Sequence, residues 1–260
     1  MSDWYRFGII NDAQVRGWCL IPHLPRSALA AIFALSLFHA GNAGADDCHP
    51  TIDPSQPQYI VGYGSLMQSA SKRSTEPDSG INLPVRVTGF QRGWNTHGVY
   101  PTTYLGVQPS KSARMVAAVY RSLLKDGKLG ADAREIDYCR VAVAPGSIEM
   151  LDNSTLPSPS QIWIYVNKPE TLASPDADNP LVQSYVDIFI TGCLELQPRV
   201  AEPAMDFVAE CVRTTEGLSR HWVNDRLMPR RAYHHQPRAW EIDQNLERLL
   251  PERVEQIKIE

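Results

Sequence analysis

A change in hydrophobic periodicity near residue 180 is the feature of this sequence that most constrains its fold. Before it, five short apolar runs have the length and the β-branched and aromatic content of strands: 59–61, 85–90, 115–120, 138–143 and 161–166. After it, apolar residues recur at helical spacing over 181–196, 203–215 and 241–250. Strands that come first and helices that come later predict an α+β domain rather than alternating βαβ units.

Composition excludes one class of partner. The chain has 260 residues, a formal net charge of −4 and 43% hydrophobic residues, which is typical of a globular protein. Mild acidity without a basic stripe gives no reason to expect binding to nucleic acid. We therefore expect no nucleic-acid partner, and the sequence leaves the oligomeric state open.

The N-terminal segment has the pattern of a secretory signal peptide. No Asp, Glu, Lys or Arg occurs over 27–45, Arg16 and Arg26 precede this stretch, and it ends in Ala-Gly-Ala before Asp46. A basic region, a short apolar core and a small-x-small site predict cleavage just before Asp46. The strongly apolar part, 28–38, is too short to span a membrane, which argues against an uncleaved anchor.

We accordingly predict three segments: a signal peptide over 1–45, a surface arm rich in Pro and Ser over 46–58, and a single domain over 59–260. The leader is longer than usual, which indicates a long basic region or a mis-assigned start codon. The mature protein is expected to be exported, to the periplasm or the medium, without stable membrane insertion.

Export would place the cysteines in an oxidising compartment, where disulfides form. Loss of the leader would leave Cys48, Cys139, Cys193 and Cys211, which allow three full pairings. Cys193 and Cys211 lie on successive helical segments, and antiparallel packing about 198–203 would offset them by roughly 7 Å, at the edge of disulfide reach. Cys139 alternates in phase with apolar strand residues and has the pattern of a buried thiol. The pairing stays open.

The first strand runs into a loop with two glycines, Gly62-Tyr63-Gly64-Ser65-Leu66. It matches neither the G-x-S-x-G motif of a serine hydrolase nor the G-x-G-x-x-G motif of a dinucleotide site. Paired glycines indicate either a positive φ or the close approach of another group. Consecutive backbone N–H groups beside small side chains can bind a carboxylate or a phosphate. The alternative is a tight turn at the end of a strand.

Glu135 is a candidate for proton transfer. It follows Asp132 and Arg134 at a predicted turn of helix and precedes the largely apolar strand 138–143. A carboxyl group at such a junction is expected to have a raised pKa, which suits a general acid or base near neutral pH. The alternative is an exposed charge paired with Arg134 or Arg140.

The order of these motifs resembles the gamma-glutamylcyclotransferase-like superfamily, which includes gamma-glutamylamine cyclotransferases. The resemblance covers 59–250, and its matching stretches are 59–67, 87–94, 115–120, 132–143, 161–165 and 181–194. The sequences W-x-N-D-R-x-x-P at 222–229 and E-I-D-Q-N-L at 241–246 resemble its bacterial and plant branches. Tyr-Gly-Ser-Leu is weakly specific alone, whereas its ordered combination with Arg-Glu-x-x-Tyr is strong.

This resemblance implies a small mixed β-barrel with flanking helices and assigns roles to residues of this chain. Glu135 corresponds to the catalytic glutamate, and Tyr138 is placed to orient it. The loop would hold the α-carboxylate of a gamma-glutamyl group through its N–H groups, which explains glycines on either side of Tyr63. The implied substrate-binding residues are Gly62, Tyr63, Gly64, Ser65, Leu66, Tyr165 and Tyr185. Tyr165 and Tyr185 have the alternative role of core aromatics.

The implied reaction is an intramolecular displacement on a small gamma-glutamyl substrate. The substrate's α-amine attacks its own γ-carbonyl, closes the ring of 5-oxoproline and expels the leaving amine, with Glu135 as general base and then general acid. No metal, cofactor or protein nucleophile is required. His221, His234 and His235 lack the spacing of a metal site. The alternative is a non-catalytic exported protein that binds a carboxylate through the loop, and the presence of Glu135 favours the enzyme.

The sequence does not indicate which amine leaves. Its pocket is expected to come from 76–84, from 96–104 and from the basic C-terminal segment. The arginines of that segment provide either a solvated face or a contact for an anionic end of the substrate: Arg226, Arg230, Arg231 and Arg238.

Overall fold

The computed structural model of this protein describes residues 48–98, 100–125, 127–231 and 238–260. The predicted signal peptide, its cleavage site and the pair His234 and His235 lie outside the described residues. Strands dominate the first part of the described chain and helices the second, which confirms the α+β class. No helix in these ranges is both long enough and apolar enough to cross a membrane.

The strands of the described residues are, in chain order, β1 (Gln58–Gly62), β2 (Leu83–His97), β3 (Thr103–Ser122), β4 (Leu124–Lys125), β5 (Lys128–Leu129), β6 (Tyr138–Ala142), β7 (Ile148–Met150), β8 (Gln161–Asn167), β9 (Leu181–Val182), β10 (Thr215–Glu216), β11 (Trp222–Asn224) and β12 (Lys258–Ile259). The α-helices are α1 (Ser69–Arg73), α2 (Gln183–Leu196), α3 (Phe207–Arg213), α4 (Ala239–Leu249) and α5 (Pro251–Val254). The five predicted strands correspond to β1, β2, β3, β6 and β8. Of these, β2 and β3 extend well beyond the predicted runs and form a long hairpin.

The main sheet has the strand order β10-β2-β3-β1-β8-β6, and β7 also pairs with β2. Strand β1 lies near its centre, antiparallel to β3 and parallel to β8. Within the described chain the sheet is not closed into the barrel that the resemblance implied, because β2 uses its other side for β7 at 85–87 and for β10 at 92–93. That side of β2 is therefore not open to β6.

The alternation of side chains along β3 explains its continuous apolar run. Met115, Ala117 and Val119 pack in one cluster with apolar residues of β1, β2 and β8. Val116 and Ala118 point to the opposite face, into the cluster built around α2. Both faces of the sheet are covered along 115–119, so a polar residue at any of these positions would be buried.

Helix α2 is the central element of the second face. All of its residues except Glu195 are buried, including several polar ones. Its N-terminus has no local side-chain cap. Instead Asp225, far along the chain, accepts hydrogen bonds from the Ser184 N–H and hydroxyl, both at 2.7 Å. A carboxylate is favourable at a helix N-terminus, and this contact fixes the turn that carries Tyr185.

Helix α3 begins later than the sequence predicted. The predicted helix over 203–215 had Pro203 in its first turn, but the helix spans Phe207–Arg213. Asp206 caps it by accepting a hydrogen bond from the Ala209 N–H at 2.8 Å. Such a cap satisfies a backbone donor at the helix start, which a proline side chain cannot do because it has no acceptor.

The structure contradicts the argument against a Cys193–Cys211 disulfide. These cysteines are bonded, with 6.6 Å between their Cα atoms, because the short α3 packs on α2 without the offset assumed for two full-length antiparallel helices. Cys48 is bonded to Cys139, so Cys139 is not a buried thiol. The segment before β1 runs along β6, where the Cys48 carbonyl accepts a hydrogen bond from the Arg140 N–H at 2.8 Å.

Candidate active site

A cleft of about 250 Å³ lies beside the end of β1. Two groups of residues line most of it. The loop wall consists of the loop 63–66 together with Arg134 and Glu135, which precede β6. The tyrosine wall consists of Tyr104 of β3, Tyr185 of α2 and Arg231 of the C-terminal segment; Thr96, Tyr138 and Tyr165 also border the cleft.

Close packing, rather than a positive φ, explains the two glycines of the loop. Gly64 has a φ of −128°, which lies outside the left-handed region. A Cβ on Gly64 would lie 2.9 Å from the Tyr185 hydroxyl oxygen. A Cβ on Gly62 would lie 2.8 Å from the Leu66 Cβ, because the loop folds back over the end of β1. Gly64 therefore borders the cleft, while Gly62 lies outside the residues that line it.

The loop offers backbone donors at the start of a 3₁₀ turn, Ser65–Met67. The turn is closed by hydrogen bonds from the following N–H groups to the carbonyl oxygens of Gly64 at 3.0 Å and Ser65 at 3.3 Å. As at any helical start, the first N–H groups, those of Ser65 and Leu66, have no partner within the turn. They are donors at the position where the sequence predicted binding of a carboxylate.

Arg92, fully buried in β2, holds this loop from the core side. Its guanidinium donates hydrogen bonds to the carbonyl oxygens of Tyr63 at 3.1 Å, Val116 at 2.9 Å and Cys211 at 2.7 Å. It also lies over the Phe189 ring, 4.8 Å from the centroid. Arg92 thus joins the loop, the sheet and the end of α3, and it makes the loop a rigid part of the cleft.

Glu135 follows a second 3₁₀ turn, Gly130–Ala133, close to where the sequence predicted a turn of helix. Its N–H donates to the Ala131 carbonyl at 2.9 Å, and only 14% of its side chain is exposed. Burial raises the pKa of Glu135 above the usual range of a glutamate, and the guanidiniums of Arg134 and Arg231 oppose this rise without cancelling it. Glu135 is therefore a largely desolvated carboxyl group beside the cleft.

Arg134 connects Glu135 to the loop. Its Nε lies 3.2 Å from Glu135 Oε1, and its Nη2 donates to Ser65 Oγ at 2.8 Å. Its Nη1 donates to the Ser71 carbonyl at 2.6 Å, which anchors the guanidinium to α1. The ion pair considered as an alternative role for Glu135 is thus present, and the same arginine brings Glu135 next to the loop where a carboxylate is predicted to bind.

Asp132 organises the turn that precedes Glu135. Arg140 donates to both Asp132 carboxylate oxygens, at 2.8 and 2.6 Å, so Arg140 is not the partner of Glu135. The Tyr165 hydroxyl donates to Asp132 Oδ1 at 2.7 Å. The Tyr165 hydroxyl therefore uses its hydrogen inside the protein, so a substrate contact would use its oxygen as an acceptor or its ring.

Two other tyrosines also use their hydroxyls within the protein. Tyr63 donates to the Tyr165 carbonyl at 2.7 Å, and Tyr138 donates to the Leu105 carbonyl at 3.3 Å. Tyr138 supports Glu135 through the backbone instead, since its N–H donates to the Glu135 carbonyl at 3.0 Å. The substrate contact of Tyr63 stays a prediction.

The tyrosine wall is built from packed rings. Tyr185 meets the Tyr104 ring edge-on at 4.9 Å between centroids and the Trp94 ring at 5.9 Å. Burial raises the pKa of Tyr185 to about 12, so its hydroxyl beside Gly64 is a neutral hydrogen-bond donor near neutral pH. The Arg231 guanidinium lies over the Tyr104 ring, 5.6 Å from the centroid.

Two of the three segments expected to surround the leaving amine do line the cleft. They are 96–104, through Tyr104, and the basic C-terminal segment, through Arg231. The segment 76–84 does not line it, because Glu76 is buried and accepts hydrogen bonds from two hydroxyls of β3. The Glu76 carboxylate thus accepts its hydrogen bonds within the core instead of bordering the cleft.

Sequence reasoning missed the contact between Arg134 and Ser65, and it included Tyr104 in the expected pocket only as the last residue of the segment 96–104. The Arg-Glu sequence was a local signal for the first of these. Nothing near Tyr104 distinguishes it from a core aromatic. Among the described residues, no group of three or more His, Cys, Asp or Glu side chains is placed to hold a metal ion.

Comparison of the sequence with family models and with curated proteins finds no significant match. Among solved structures, a gamma-glutamyl cyclotransferase matches at 11% identity over 74% of this chain and 99% of its own, with a TM-score of 0.44. An uncharacterized protein from Homo sapiens matches at 11% identity over 74% and 99%, with a TM-score of 0.42. A gamma-glutamyl cyclotransferase specific to glutathione, from yeast, matches at 11% identity over 61% and 97%, with a TM-score of 0.35.

The family that the sequence motifs resemble is thus found among the similar solved structures. At these identities and TM-scores, the likeness assigns no activity to this chain.

Proposed function

We propose that this protein is a metal- and cofactor-independent cyclotransferase, which acts on gamma-glutamyl amides or peptides and releases 5-oxoproline and a free amine. The observation that carries the proposal is the desolvated Glu135, whose pKa is raised and which Arg134 holds beside the loop that follows β1. A carboxyl group of this kind can accept and return a proton near neutral pH.

The loop wall would bind the α-carboxylate of the substrate. The N–H groups of Ser65 and Leu66 supply two donors, and Gly64 leaves room for the bound group because it has no side chain. The Tyr185 hydroxyl is a further neutral donor beside Gly64. Arg134 adds a positive charge next to Ser65. Neutral and cationic donors together favour an anionic group over a neutral one.

The reaction would be an intramolecular displacement. The substrate's α-amino nitrogen forms a bond to its γ-carbonyl carbon and closes a five-membered ring, while the bond from that carbon to the leaving nitrogen breaks. Glu135 takes a proton from the attacking nitrogen and gives one to the leaving nitrogen, so the enzyme ends in its starting state. General acid–base catalysis contributes about 10²- to 10⁴-fold, and a fixed geometry between nitrogen and carbonyl adds to it.

Glu135 must begin this cycle as a carboxylate and pass through the acid. Arg134 stabilises the carboxylate, whereas burial stabilises the acid. Because the two effects oppose each other, neither protonation state of Glu135 is strongly excluded, and the group can act in both directions.

We also propose that the protein acts after export, as its leader pattern predicts. Two disulfides support this proposal, because disulfides persist mainly in oxidising compartments. The intact mass of protein recovered from a bacterial periplasm tests it: the chain should begin near Asp46. A full-length mass in the membrane fraction would contradict it.

The catalytic proposal is tested by incubating the purified protein with a gamma-glutamyl amino acid, a gamma-glutamyl amine and a gamma-glutamyl isopeptide of lysine. Mass spectrometry should find 5-oxoproline and the free amine in equal amounts for at least one of them. Binding of these compounds without any 5-oxoproline would contradict the proposal and favour the non-catalytic alternative.

A further inference from the structure

The C-terminal segment carries four arginines that differ in their partners. Three of them form ion pairs: Arg226 with Asp187 and Asp243, Arg230 with Glu260, and Arg238 with Glu241. Arg231 has no carboxylate within ion-pair distance in the described part of the chain, and its Nε is buried there without a hydrogen-bond partner. Arg231 is also the one of the four that lines the cleft. A partly buried cation with no carboxylate in contact can take a negatively charged group of a ligand as its partner.

The position of Arg231 is fixed by buried polar contacts. Its N–H donates to Ser184 Oγ at 3.2 Å, and Ser184 Oγ in turn donates to Asp225 at 2.7 Å. The neighbouring Arg230 N–H also donates to Asp225, at 2.8 Å. The guanidinium then lies over the Tyr104 ring, which restricts its side chain. A cation held in this way loses little conformational freedom when it binds an anion.

Among the described residues, the packing contacts of Arg231 lead to the loop wall through the two tyrosines, and its charge also acts on Glu135 across the cleft. Its guanidinium contacts Tyr104, Tyr104 contacts Tyr185, and it is Tyr185 that reaches Gly64. The loop has its own cation, Arg134, and its own backbone donors for the α-carboxylate. A second anionic group, away from the glutamyl end, therefore matches Arg231 better than the α-carboxylate does.

We propose that Arg231 is a specificity-determining residue, which binds a carboxylate on the leaving half of the substrate. The enzyme would then prefer gamma-glutamyl amino acids or peptides with a free carboxylate over the corresponding neutral amides. This inference rests on the proposed cyclotransferase function. A guanidinium can form two parallel N–H···O bonds with a carboxylate, a geometry that an ammonium or a neutral side chain does not reproduce.

The test compares gamma-glutamylalanine with its carboxamide, because the two have nearly the same size and differ by one charge. The ratio of their kcat/KM values, measured by 5-oxoproline release, reports the preference for the carboxylate. The wild type should prefer the free carboxylate by about 10- to 100-fold, the range expected for a charge-assisted hydrogen-bonded pair. In Arg231→Gln this ratio should fall toward one.

Two further variants keep the test decisive. Arg238→Gln removes a charge of the same segment that pairs with Glu241 and does not line the cleft, so it should keep the wild-type ratio. Arg231→Lys keeps the charge without the paired geometry, so its ratio should lie between those of wild type and Arg231→Gln. A wild-type ratio in Arg231→Lys would overturn the bidentate contact.

The remaining outcomes separate this inference from the proposed function. A wild-type ratio near one overturns the role of Arg231 alone. An equal fall of kcat/KM for both substrates in Arg231→Gln also overturns it. That result would show that Arg231 contacts the glutamyl half of the substrate or has a structural role. Failure of wild type to release 5-oxoproline from either compound would overturn the proposed function, and this inference with it.

Discussion

The loop wall and the tyrosine wall of the cleft differ in how their polar groups are satisfied. In the loop wall, Arg134 is bonded to Glu135, Ser65 and α1, and the loop itself is held by Arg92. In the tyrosine wall, most contacts are between rings, and the Nε of Arg231 has no partner among the described residues. A wall whose polar side chains are already hydrogen-bonded to each other is preorganised to bind a chemical group that is the same in every substrate. The difference fits a substrate with a constant gamma-glutamyl half and a variable leaving half.

The largest effect is expected in the loop wall, from Glu135→Gln. This change keeps the size of the side chain and its contact with Arg134 but removes the titratable group. The turnover number kcat should fall by about 10²-fold or more, with KM little changed, since a lost proton transfer affects the transition state more than binding. Steady-state release of 5-oxoproline measures both. Glu149→Gln, at an exposed glutamate paired with Arg86, is the matched control and should behave as wild type.

The stability of Glu135→Gln distinguishes a catalytic group from a structural anchor. Because burial raises the pKa of Glu135, the folded state binds its proton more tightly than the unfolded state does. That contribution to stability is present at low pH and is lost as pH rises through the raised pKa. The variant cannot ionise, so its Tm should equal or exceed that of wild type at neutral pH, and the difference should shrink on acidification. An unfolded variant would instead identify Glu135 as an anchor for Arg134.

The next largest effect is expected where the two walls meet, at Gly64. A Cβ in Gly64→Ala would lie 2.9 Å from the Tyr185 hydroxyl, so the ring or the loop must shift. We expect KM to rise about 10-fold or more, because small displacements of positioning groups are costly. Tyr185→Phe in the same chain removes the clashing oxygen and should recover part of the loss. A Gly64→Ala enzyme with wild-type KM would show that no close approach occurs there.

A smaller effect is expected from Ser65→Ala. The change removes the oxygen that accepts a hydrogen bond from Arg134, while the backbone donors of the loop remain. KM should rise by roughly 3- to 10-fold, the range expected for one hydrogen bond near a charge, and kcat should change less. If kcat falls by a larger factor than KM rises, Arg134 acts in the catalytic step rather than in substrate binding. The contrast drawn between the loop wall and the tyrosine wall would then need revision.

Local signals allowed much of the loop wall to be predicted. The loop after β1 and the Arg-Glu pair lie in short, continuous motifs, and the structure brings them together through Arg134. The continuous apolar run 115–120 of β3 was likewise predicted as a strand, because burial on both faces of a sheet leaves a direct trace in the sequence.

Features that depend on distant contacts were harder to predict. Asp225 caps α2 from 41 residues away along the chain. No local pattern around Arg231 indicates that Ser184, which Asp225 holds, would fix Arg231 beside the cleft. The sequence left the Cys193–Cys211 bond open, because the length of α3 is set by the Asp206 cap rather than by the apolar period. The barrel stayed open because β7 and β10 pair with β2.

The pH dependence of kcat tests most directly the claim that Glu135 moves the proton. In the wild type, turnover should be lost as pH falls through a pKa above the usual range of a glutamate, because protonation of Glu135 removes the base. The residual activity of Glu135→Gln should lack this acidic limb. An acidic limb that persists unchanged in the variant, or a wild-type profile without one, would contradict the account.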